Sequence, residues 1–410
     1  MSHSKFKIAA LATAFAATTA LQAAPASAQS AAPKAYIGLF GDNSLAVLDT
    51  GSNSITGTIP IPAGPHGLVV TPDGHWVYAS SDGDSKVSVI DTQTDQVAST
   101  IEVGTTPHGL AITPDGSRVL VAGFGTDEVE AIDTSTRQMV WQTPVTQPHN
   151  IAISPDGLTA YAGSQKADAP SLAVIDIPSG TQTGSVELNA VPRALTMSPD
   201  GTKVFFTQAG VDSLQVLDRA TDQIVSRIPT GASPHHPFFS PDGKVGMVVA
   251  QGPGELDLFD PTAFARTGSV KVGQMPHWIA TSADNHYAYV TNENSNDLSV
   301  VDLGSMSVST TVSVGKAPRK IAIQPTQQSA SVTIQKFAFS PASMTIHAGD
   351  SVTWTNNDAV AHTTTSDDKS SWDSKEIQPN TTFTHTFSQP GTYTYHCSVH
   401  PFMKGTIEVQ

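Results

Sequence analysis

The chain has a single cysteine, Cys397, in 410 residues, so no disulfide can form within it. Basic residues are also few, with 21 Lys and Arg against 36 Asp and Glu. This balance argues against binding to nucleic acid or to an anionic membrane surface. Beyond residue 28, no apolar run approaches the roughly twenty residues that a membrane-spanning helix needs. The lone cysteine therefore calls for an explanation other than a disulfide.

Residues 1–28 have the order of a secretory signal peptide. Two lysines precede an apolar stretch from Ile8 to Leu21, and Ala26-Ser27-Ala28 has the small residues that signal peptidase prefers. No twin arginine occurs near the start, so the sequence predicts Sec-dependent export to the periplasm. Loss of the two lysines lowers the formal charge from −15 to −17. In that oxidising compartment a free thiol is a liability, whereas a metal-bound thiolate is protected.

A repeat runs from Ala35 to Pro325, marked by Pro followed by His or Arg. The marked residues are His66, His108, His149, Arg193, His235, His277 and Arg319, and successive marks are 41 to 44 residues apart. This period fits one four-stranded β-propeller blade per repeat, and seven marks predict seven blades. The N-terminal segment supplies three strands before the first mark and only one strand follows the last, so we expect the N-terminal strands to complete the last blade.

Aspartates also recur at fixed repeat positions, and we interpret them as turn and hairpin residues rather than catalytic acids. They follow proline at Asp73, Asp115, Asp156, Asp200 and Asp242, and end strands at Asp49, Asp91, Asp133, Asp176, Asp218, Asp260 and Asp302. The repeats resemble the YVTN family of seven-bladed propellers, and Tyr289-Val-Thr-Asn carries that motif literally. The resemblance implies a fold rather than a function. We therefore expect an all-β chain with a propeller at 34–325.

A polar linker, 326–331, precedes a new alternating pattern, which predicts a second β domain at 332–410. One of its loops contains His362, and the last loop reads Cys397-Ser-Val-His400-Pro-Phe-Met403. One thiolate, two imidazoles and a weak thioether are the ligands of a mononuclear type 1 copper. A dinuclear copper centre with two bridging cysteines is excluded by the single cysteine.

The domain resembles an amicyanin or plastocyanin, and its short ligand loop is closer to that of amicyanin. The resemblance implies a cupredoxin β-sandwich in which His362, Cys397 and His400 are equatorial copper ligands and Met403 is the axial one. Thr363 departs from the family, since amicyanins have an asparagine there that helps to hold the ligand loop. The resemblance also implies that the edge of His400, beside Pro401 and Phe402, faces redox partners.

The marked histidines of the propeller are candidates for a second copper site. Rotational near-symmetry places residues of one repeat position on a ring near the channel mouth. His66, His108 and His149 lie on consecutive blades and could bind copper with an open position, while His235 and His277 approach from the far side. Arg193 and Arg319 interrupt the ring and could orient an anion or pair with a blade carboxylate. The alternative is structural, with each histidine bonding a neighbouring backbone.

The leading functional hypothesis is a periplasmic copper oxidoreductase. The type 1 copper would exchange electrons with a redox protein and with a propeller copper that acts on a small molecule. This plan resembles that of nitrous oxide reductase, in which the cupredoxin of one subunit faces the propeller of another, so a homodimer is one expected arrangement. The alternative is an electron-transfer cupredoxin on a non-catalytic docking propeller. A hydrolase of the propeller lactonase type ranks last, because it needs carboxylate ligands at the channel.

Overall fold

A computed structural model of the chain describes residues 32–326, 329–346, 349–387 and 391–409, so the signal peptide predicted at 1–28 lies outside the described residues. The described part is all-β, as the sequence predicted, with strands β1 to β36 in nine four-stranded sheets. Among these residues, no helix is long and apolar enough to cross a membrane.

Seven sheets are consecutive blades of a β-propeller, each with four antiparallel strands. Blade 1 contains β4 (Pro65–Val70), β5 (Trp76–Ser81), β6 (Lys86–Asp91) and β7 (Gln96–Glu102). Blade 2 contains β8 (Pro107–Ile112), β9 (Arg118–Gly123), β10 (Glu128–Asp133) and β11 (Gln138–Pro144). Blade 3 contains β12 (Pro148–Ile153), β13 (Thr159–Ser164), β14 (Ser171–Asp176) and β15 (Thr181–Glu187). Blade 4 contains β16 (Pro192–Met197), β17 (Lys203–Gln208), β18 (Val211–Asp218) and β19 (Gln223–Pro229).

The three remaining blades follow the same plan, and the last of them joins the two ends of the propeller. Blade 5 contains β20 (Pro234–Phe239), β21 (Gly246–Ala250), β22 (Glu255–Asp260) and β23 (Ala265–Lys271). Blade 6 contains β24 (Pro276–Thr281), β25 (Tyr287–Asn292), β26 (Asp297–Asp302) and β27 (Ser307–Ser313). Blade 7 contains β28 (Pro318–Ile323), β1 (Lys34–Leu39), β2 (Ser44–Asp49) and β3 (Ser54–Pro60).

Pairing of β28 with β1 brings N-terminal strands into the last blade, where Ala35 lies opposite Ile323 and Ile37 opposite Ile321. The innermost strand of each blade lies beside those of both neighbouring blades, and β28 lies beside β4. The ring of blades therefore surrounds a central channel lined by the seven innermost strands. The second strands are buried along nearly their whole length, whereas the outermost strands alternate between exposed and half-buried residues. This gradient places the apolar core between the blades.

The recurring aspartates lie in turns, as the sequence predicted. In the Pro-Asp-Gly turns, the carboxylate accepts a hydrogen bond from the backbone N–H two residues later, as in the 3.0 Å bond from His75 to Asp73. The following glycine has a positive φ, 71° at Gly74, which a residue with a Cβ adopts at a cost. Strand-end aspartates accept similar bonds, such as that from Ser52 N–H to Asp49 at 2.7 Å.

The C-terminal domain consists of two packed sheets. One contains β30 (Ala338–Ser340), β29 (Ser329–Gln335), β32 (Ser351–Asn356) and β34 (Thr382–Thr386), in that order. The other contains β31 (Ser343–Ile346), β36 (Lys404–Val409), β35 (Gly391–His396) and β33 (Thr365–Ser366). Their inner faces share one apolar core around Trp354, whose indole N–H donates to the Tyr395 hydroxyl at 3.1 Å. Since β29 begins at Ser329, regular structure starts three residues before the predicted position of 332.

Candidate metal centres

The predicted ligands of the C-terminal domain converge at one end of the sandwich. Cys397 follows the last residue of β35, and Met403 precedes the first residue of β36. The loop between them folds back on itself, because Cys397 N–H donates to Met403 O at 3.1 Å and Met403 N–H to His400 O at 2.9 Å. His362 comes from the loop after β32 and is fully buried, as is Cys397.

Three donor atoms of this cluster lie at separations suited to one metal ion. Cys397 Sγ is 3.7 Å from His362 Nδ1 and 3.8 Å from His400 Nδ1, and the two Nδ1 atoms are 3.2 Å apart. Nitrogen and sulfur donors about 2.0–2.3 Å from one transition-metal ion are themselves roughly 3.1–3.8 Å apart. Met403 is buried at the end of the same loop. The donor set and its spacing therefore fit a type 1 copper.

Groups outside the cluster hold two of its ligands. Thr363 N–H donates to Cys397 Sγ at 3.3 Å, and the Thr363 hydroxyl accepts the N–H of Ser398 at 2.7 Å. The threonine thus ties the two ligand loops together, although the sequence identified it only as a departure from the family. Asp358 lies 3.0 Å from His362 Nε2, which fixes the ring so that Nδ1 faces the cluster.

An apolar surface surrounds the half-buried His400. Phe402 is 70% exposed and Val399 is 48% exposed, and Phe337 meets the His400 ring edge-on with centroids 4.9 Å apart. His396, next to the cysteine, is turned away and its Nδ1 lies 2.6 Å from Asp367. His400 is therefore the ligand that reaches a surface on which another protein could pack.

The propeller brings its marked histidines together at the start of the innermost strands. The ring centroids are 3.6 Å apart for His66 and His108, 4.3 Å for His108 and His149, and 4.4 Å for His235 and His277. One nitrogen from each of His66, His108 and His149 lies within 4.8 Å of the other two. These three side chains, which the repeat predicted to lie on one ring, are therefore close enough to reach one ion.

Each of the five channel histidines has a buried Nδ1 atom that lacks a hydrogen-bond partner among the described residues. The partnerless atoms belong to His66, His108, His149, His235 and His277. Burial lowers the pKa of each imidazole below its ordinary value, to about 4 at His149. The rings are thus neutral at pH 7, with lone pairs available to a metal. At His108 and His149, a contact with the backbone of the next blade opposes this lowering of the pKa.

The two predicted arginines contact the rim of the channel. Arg319 donates to Glu293 Oε1 from Nε at 3.2 Å and from a terminal nitrogen at 3.0 Å, and its guanidinium lies 3.5 Å from the Phe40 ring centroid. Arg193 donates to Gln251 Oε1 and to Ser233 Oγ, each at 2.8 Å. Both guanidinium groups already have protein partners. The partner of Arg319 is a blade carboxylate, Glu293.

Sequence reasoning missed two rim carboxylates that approach the histidines. Asp82 lies 3.5 Å from His108 Nε2, and Glu293 lies 3.9 Å from His277 Nε2. Burial raises the pKa of Asp82 to about 6, against the opposing effect of Arg319. Both acids follow the end of a blade's second strand, sixteen residues after the marked histidine. That constant offset was the signal that could have found them.

Comparisons with known proteins agree with the two folds. The Cupredoxin-like domain family matches residues 305–409, a range that begins before the last propeller strand. Amicyanin-alpha of Methylorubrum extorquens is 36% identical over 86 residues, 20% of this chain and 72% of that protein. Plastocyanin of Scenedesmus fuscus is 36% identical over 84 residues, 18% of this chain and 86% of that protein.

The solved hydrazine synthase of Kuenenia stuttgartiensis overlays 65% of this chain and 91% of that chain, with a TM-score of 0.60 and 22% identity. At that identity the likeness concerns the fold alone. The family match at residues 305–409 includes the loops that carry His362, Cys397, His400 and Met403. Through this C-terminal domain, the chain belongs to the cupredoxin family of amicyanin and plastocyanin.

Proposed function

We propose that the chain is an exported copper oxidoreductase whose C-terminal domain transfers single electrons. The observation that carries this proposal is the cluster of His362, Cys397 and His400, with Met403 beside it, in a domain of the cupredoxin family. A type 1 copper supplies reversible one-electron oxidation and reduction there. The chain's own residues fix the ligands before any metal binds, which keeps reorganisation small.

Electrons enter or leave through His400 in this proposal, since the other three ligands are buried. The exposed side chains of Phe402 and Val399 form an apolar surface around it that would pack against a redox protein. Apolar packing of this kind lets two carriers meet and separate quickly, because few polar groups must be desolvated and paired.

The proposal extends to a second copper in the propeller channel, held by His66, His108 and His149, with His235 and His277 on the far side. Its support is the partnerless Nδ1 atoms, since a buried polar atom without a partner costs free energy that a metal would offset. Imidazole suits copper, and the neutral rings need to lose no proton. A small molecule would react at this site and exchange electrons with the cupredoxin domain.

The rim would position that small molecule. Arg193 and Arg319 lie at the two interruptions of the histidine ring, and each keeps donors free beyond its present partners. Asp82 and Glu293 approach the histidine edges, where they would orient the rings or accept a proton. An anionic or strongly polar substrate fits this mixture of charges better than an apolar one.

Metal content of matched variants tests the proposal. We expect about two copper ions per chain, falling by one in Cys397→Ala and also by one in the His66→Ala, His108→Ala, His149→Ala triple variant. A His75→Ala, His286→Ala double variant is the control for the loss of histidines outside the two clusters. One copper per chain, unchanged in the triple variant, would contradict the channel site and favour an electron-transfer cupredoxin on a docking propeller.

A further inference from the structure

Below the histidine ring, the next residue of each innermost strand forms a second layer of the channel. This layer contains Gly67, Gly109, Asn150, Ala194, His236, Trp278 and Lys320. His236, Trp278 and Lys320 come from consecutive blades and are each at least nine-tenths buried. The layer separates the histidine ring from the other half of the channel, which is lined by the later residues of the same strands.

Two of these large side chains, His236 and Lys320, contact the third, Trp278. The His236 ring stacks on Trp278 with centroids 3.4 Å apart and planes at 11°. Lys320 Nζ lies 4.5 Å from the Trp278 ring centroid and donates a hydrogen bond to Leu110 O at 2.8 Å. The result is an aromatic floor across the channel with one basic side chain, Lys320.

A cavity of about 480 Å³ lies on the far side of this floor from the histidine ring. Its walls are mainly apolar side chains, and it reaches the surface near the turn residues Pro155 and Pro199. The wall residues that matter here are Leu68, Val70, Ile112, Ile153, Met197 and Phe238. Its volume is within the range of small-molecule sites. An apolar tail could pack against these walls with its polar end at the floor.

The polar atoms of this floor have few partners among the described residues. Lys320 forms no ion pair with any described carboxylate, and Leu110 O occupies one of its three ammonium donors. Neither ring nitrogen of His236 has a hydrogen-bond partner among the described residues. A buried cation without a counter-charge is rare in folded proteins, and a buried imidazole without a partner costs free energy. An anionic group at the floor would satisfy both side chains.

We propose that this cavity binds a small organic anion with an apolar tail, such as a medium-chain monocarboxylate. The carboxylate accepts hydrogen bonds from Lys320 and His236, and the tail lies along the apolar wall. Burial lowers the pKa of Lys320 to about 7, and a bound carboxylate opposes that shift. The site is separate from the proposed copper positions, so it goes beyond the proposed function and stands or falls without it.

Calorimetric titration of the full copper-loaded chain tests this site, with hexanoate as the probe and 1-hexanol as the uncharged control of equal tail length. We expect one hexanoate site per chain, with affinity at least tenfold higher than that for 1-hexanol. Lys320→Met should lower the hexanoate affinity at least tenfold, while Lys316→Met, at an exposed lysine near the same blade, should leave it unchanged.

Equal affinity for hexanoate and 1-hexanol in the wild-type chain would overturn the proposal without recourse to any variant. Unchanged hexanoate binding in a folded Lys320→Met chain would overturn it as well. Methionine fills a similar volume and removes a buried charge, so we expect this variant to fold. Its near-ultraviolet circular dichroism checks that the propeller is intact. His236→Phe keeps the stack on Trp278 and should also weaken hexanoate binding.

Discussion

The two histidine clusters of this chain differ in what surrounds them. In the cupredoxin domain, Asp358 approaches Nε2 of His362 and Thr363 N–H donates to the cysteine sulfur. In the propeller, the Nδ1 atoms of His66, His108 and His149 have no described partner. The first cluster is held by short hydrogen bonds from its own loops, whereas the rings of the second have longer contacts, such as 3.5 Å from His108 Nε2 to Asp82. Local hydrogen bonds preorganise the ligands of the cupredoxin site. The propeller histidines come from separate strands, and their Nδ1 atoms remain without a described partner.

That difference has an energetic consequence. A cluster whose ligands are satisfied by protein groups loses little stability when it holds no metal. A cluster of buried, partnerless imidazoles costs free energy until something binds it. We therefore expect metal to stabilise the propeller more than the cupredoxin domain, and we expect channel substitutions and cupredoxin substitutions to act in opposite directions on stability.

The largest expected effect is on the visible spectrum. Cys397→Ala should abolish the intense blue absorption of the oxidised protein, because the thiolate is the ligand that gives a type 1 copper its colour. Absorption spectra after copper addition measure it. His396→Ala is the matched control, since that histidine adjoins the cysteine but contacts Asp367, and it should keep the colour. Blue colour in Cys397→Ala would show that the absorption does not arise from a copper–thiolate bond, because the chain has no other cysteine.

Metal removal should distinguish the clusters next. Copper returned to the metal-free chain should raise the thermal midpoint of the propeller. The free energy of unfolding should increase by about 4 kcal/mol when copper is a thousandfold above its dissociation constant. Scanning calorimetry measures the shift. The His66→Ala, His108→Ala, His149→Ala variant should lose it, and Cys397→Ala should retain it. The same midpoint shift in both variants would contradict the expectation that copper stabilises the propeller through its histidine cluster.

A third test concerns the unpaired Lys320. Its pKa is lowered to about 7 from 10.5, so the unfolded chain binds more protons between those values and wild-type stability rises with pH across that window. Lys320→Met lacks this penalty and should be about 2 kcal/mol more stable than wild type at pH 6. Its advantage should shrink towards pH 10. Urea unfolding at the two pH values measures this, and a constant difference would contradict the unpaired charge.

The smallest expected effect is in the cupredoxin domain. Thr363→Ala removes the acceptor of the Ser398 N–H and should cost about 1 kcal/mol of the domain's stability, with a shift in the reduction potential. Thr363→Ser keeps the hydroxyl and should stay close to wild type. Urea unfolding followed by the blue absorption, together with redox titration, compares the two. Equal behaviour of the alanine and serine variants would mean that the threonine does not hold the loops.

The cupredoxin site could be predicted in most of its detail because its chemistry is local. Cys397, His400 and Met403 fall within seven residues of one loop, so their types and spacing identify the ligand set before any fold is known. The contribution of Thr363 could not be predicted. It depends on the distance of its hydroxyl from Ser398 on another loop, which sequence spacing does not report.

For the propeller, the repeat predicted the blades and the common position of the histidines, but not what faces them. Asp82 and Glu293 approach the ring from the ends of other strands, and only their constant offset in the repeat hints at this. Lys320 directly follows Arg319, and the repeat pattern does not indicate that its side chain is buried. Its burial depends on how seven separate strands close the channel, which no local pattern contains.

Pairing of β28 with β1 also bears on the order in which the parts of the chain can be completed. The last blade needs strands from both ends of the propeller, so the ring cannot close until residues near Ile323 are available to pair with β1. Such a contact spans nearly three hundred residues, and long-range pairing of this kind forms slowly. The cupredoxin ligands, by contrast, lie within a stretch of some forty residues near the chain's end. The complete histidine ring, with His277 of blade 6 near His66 of blade 1, therefore forms only when almost the whole propeller is present.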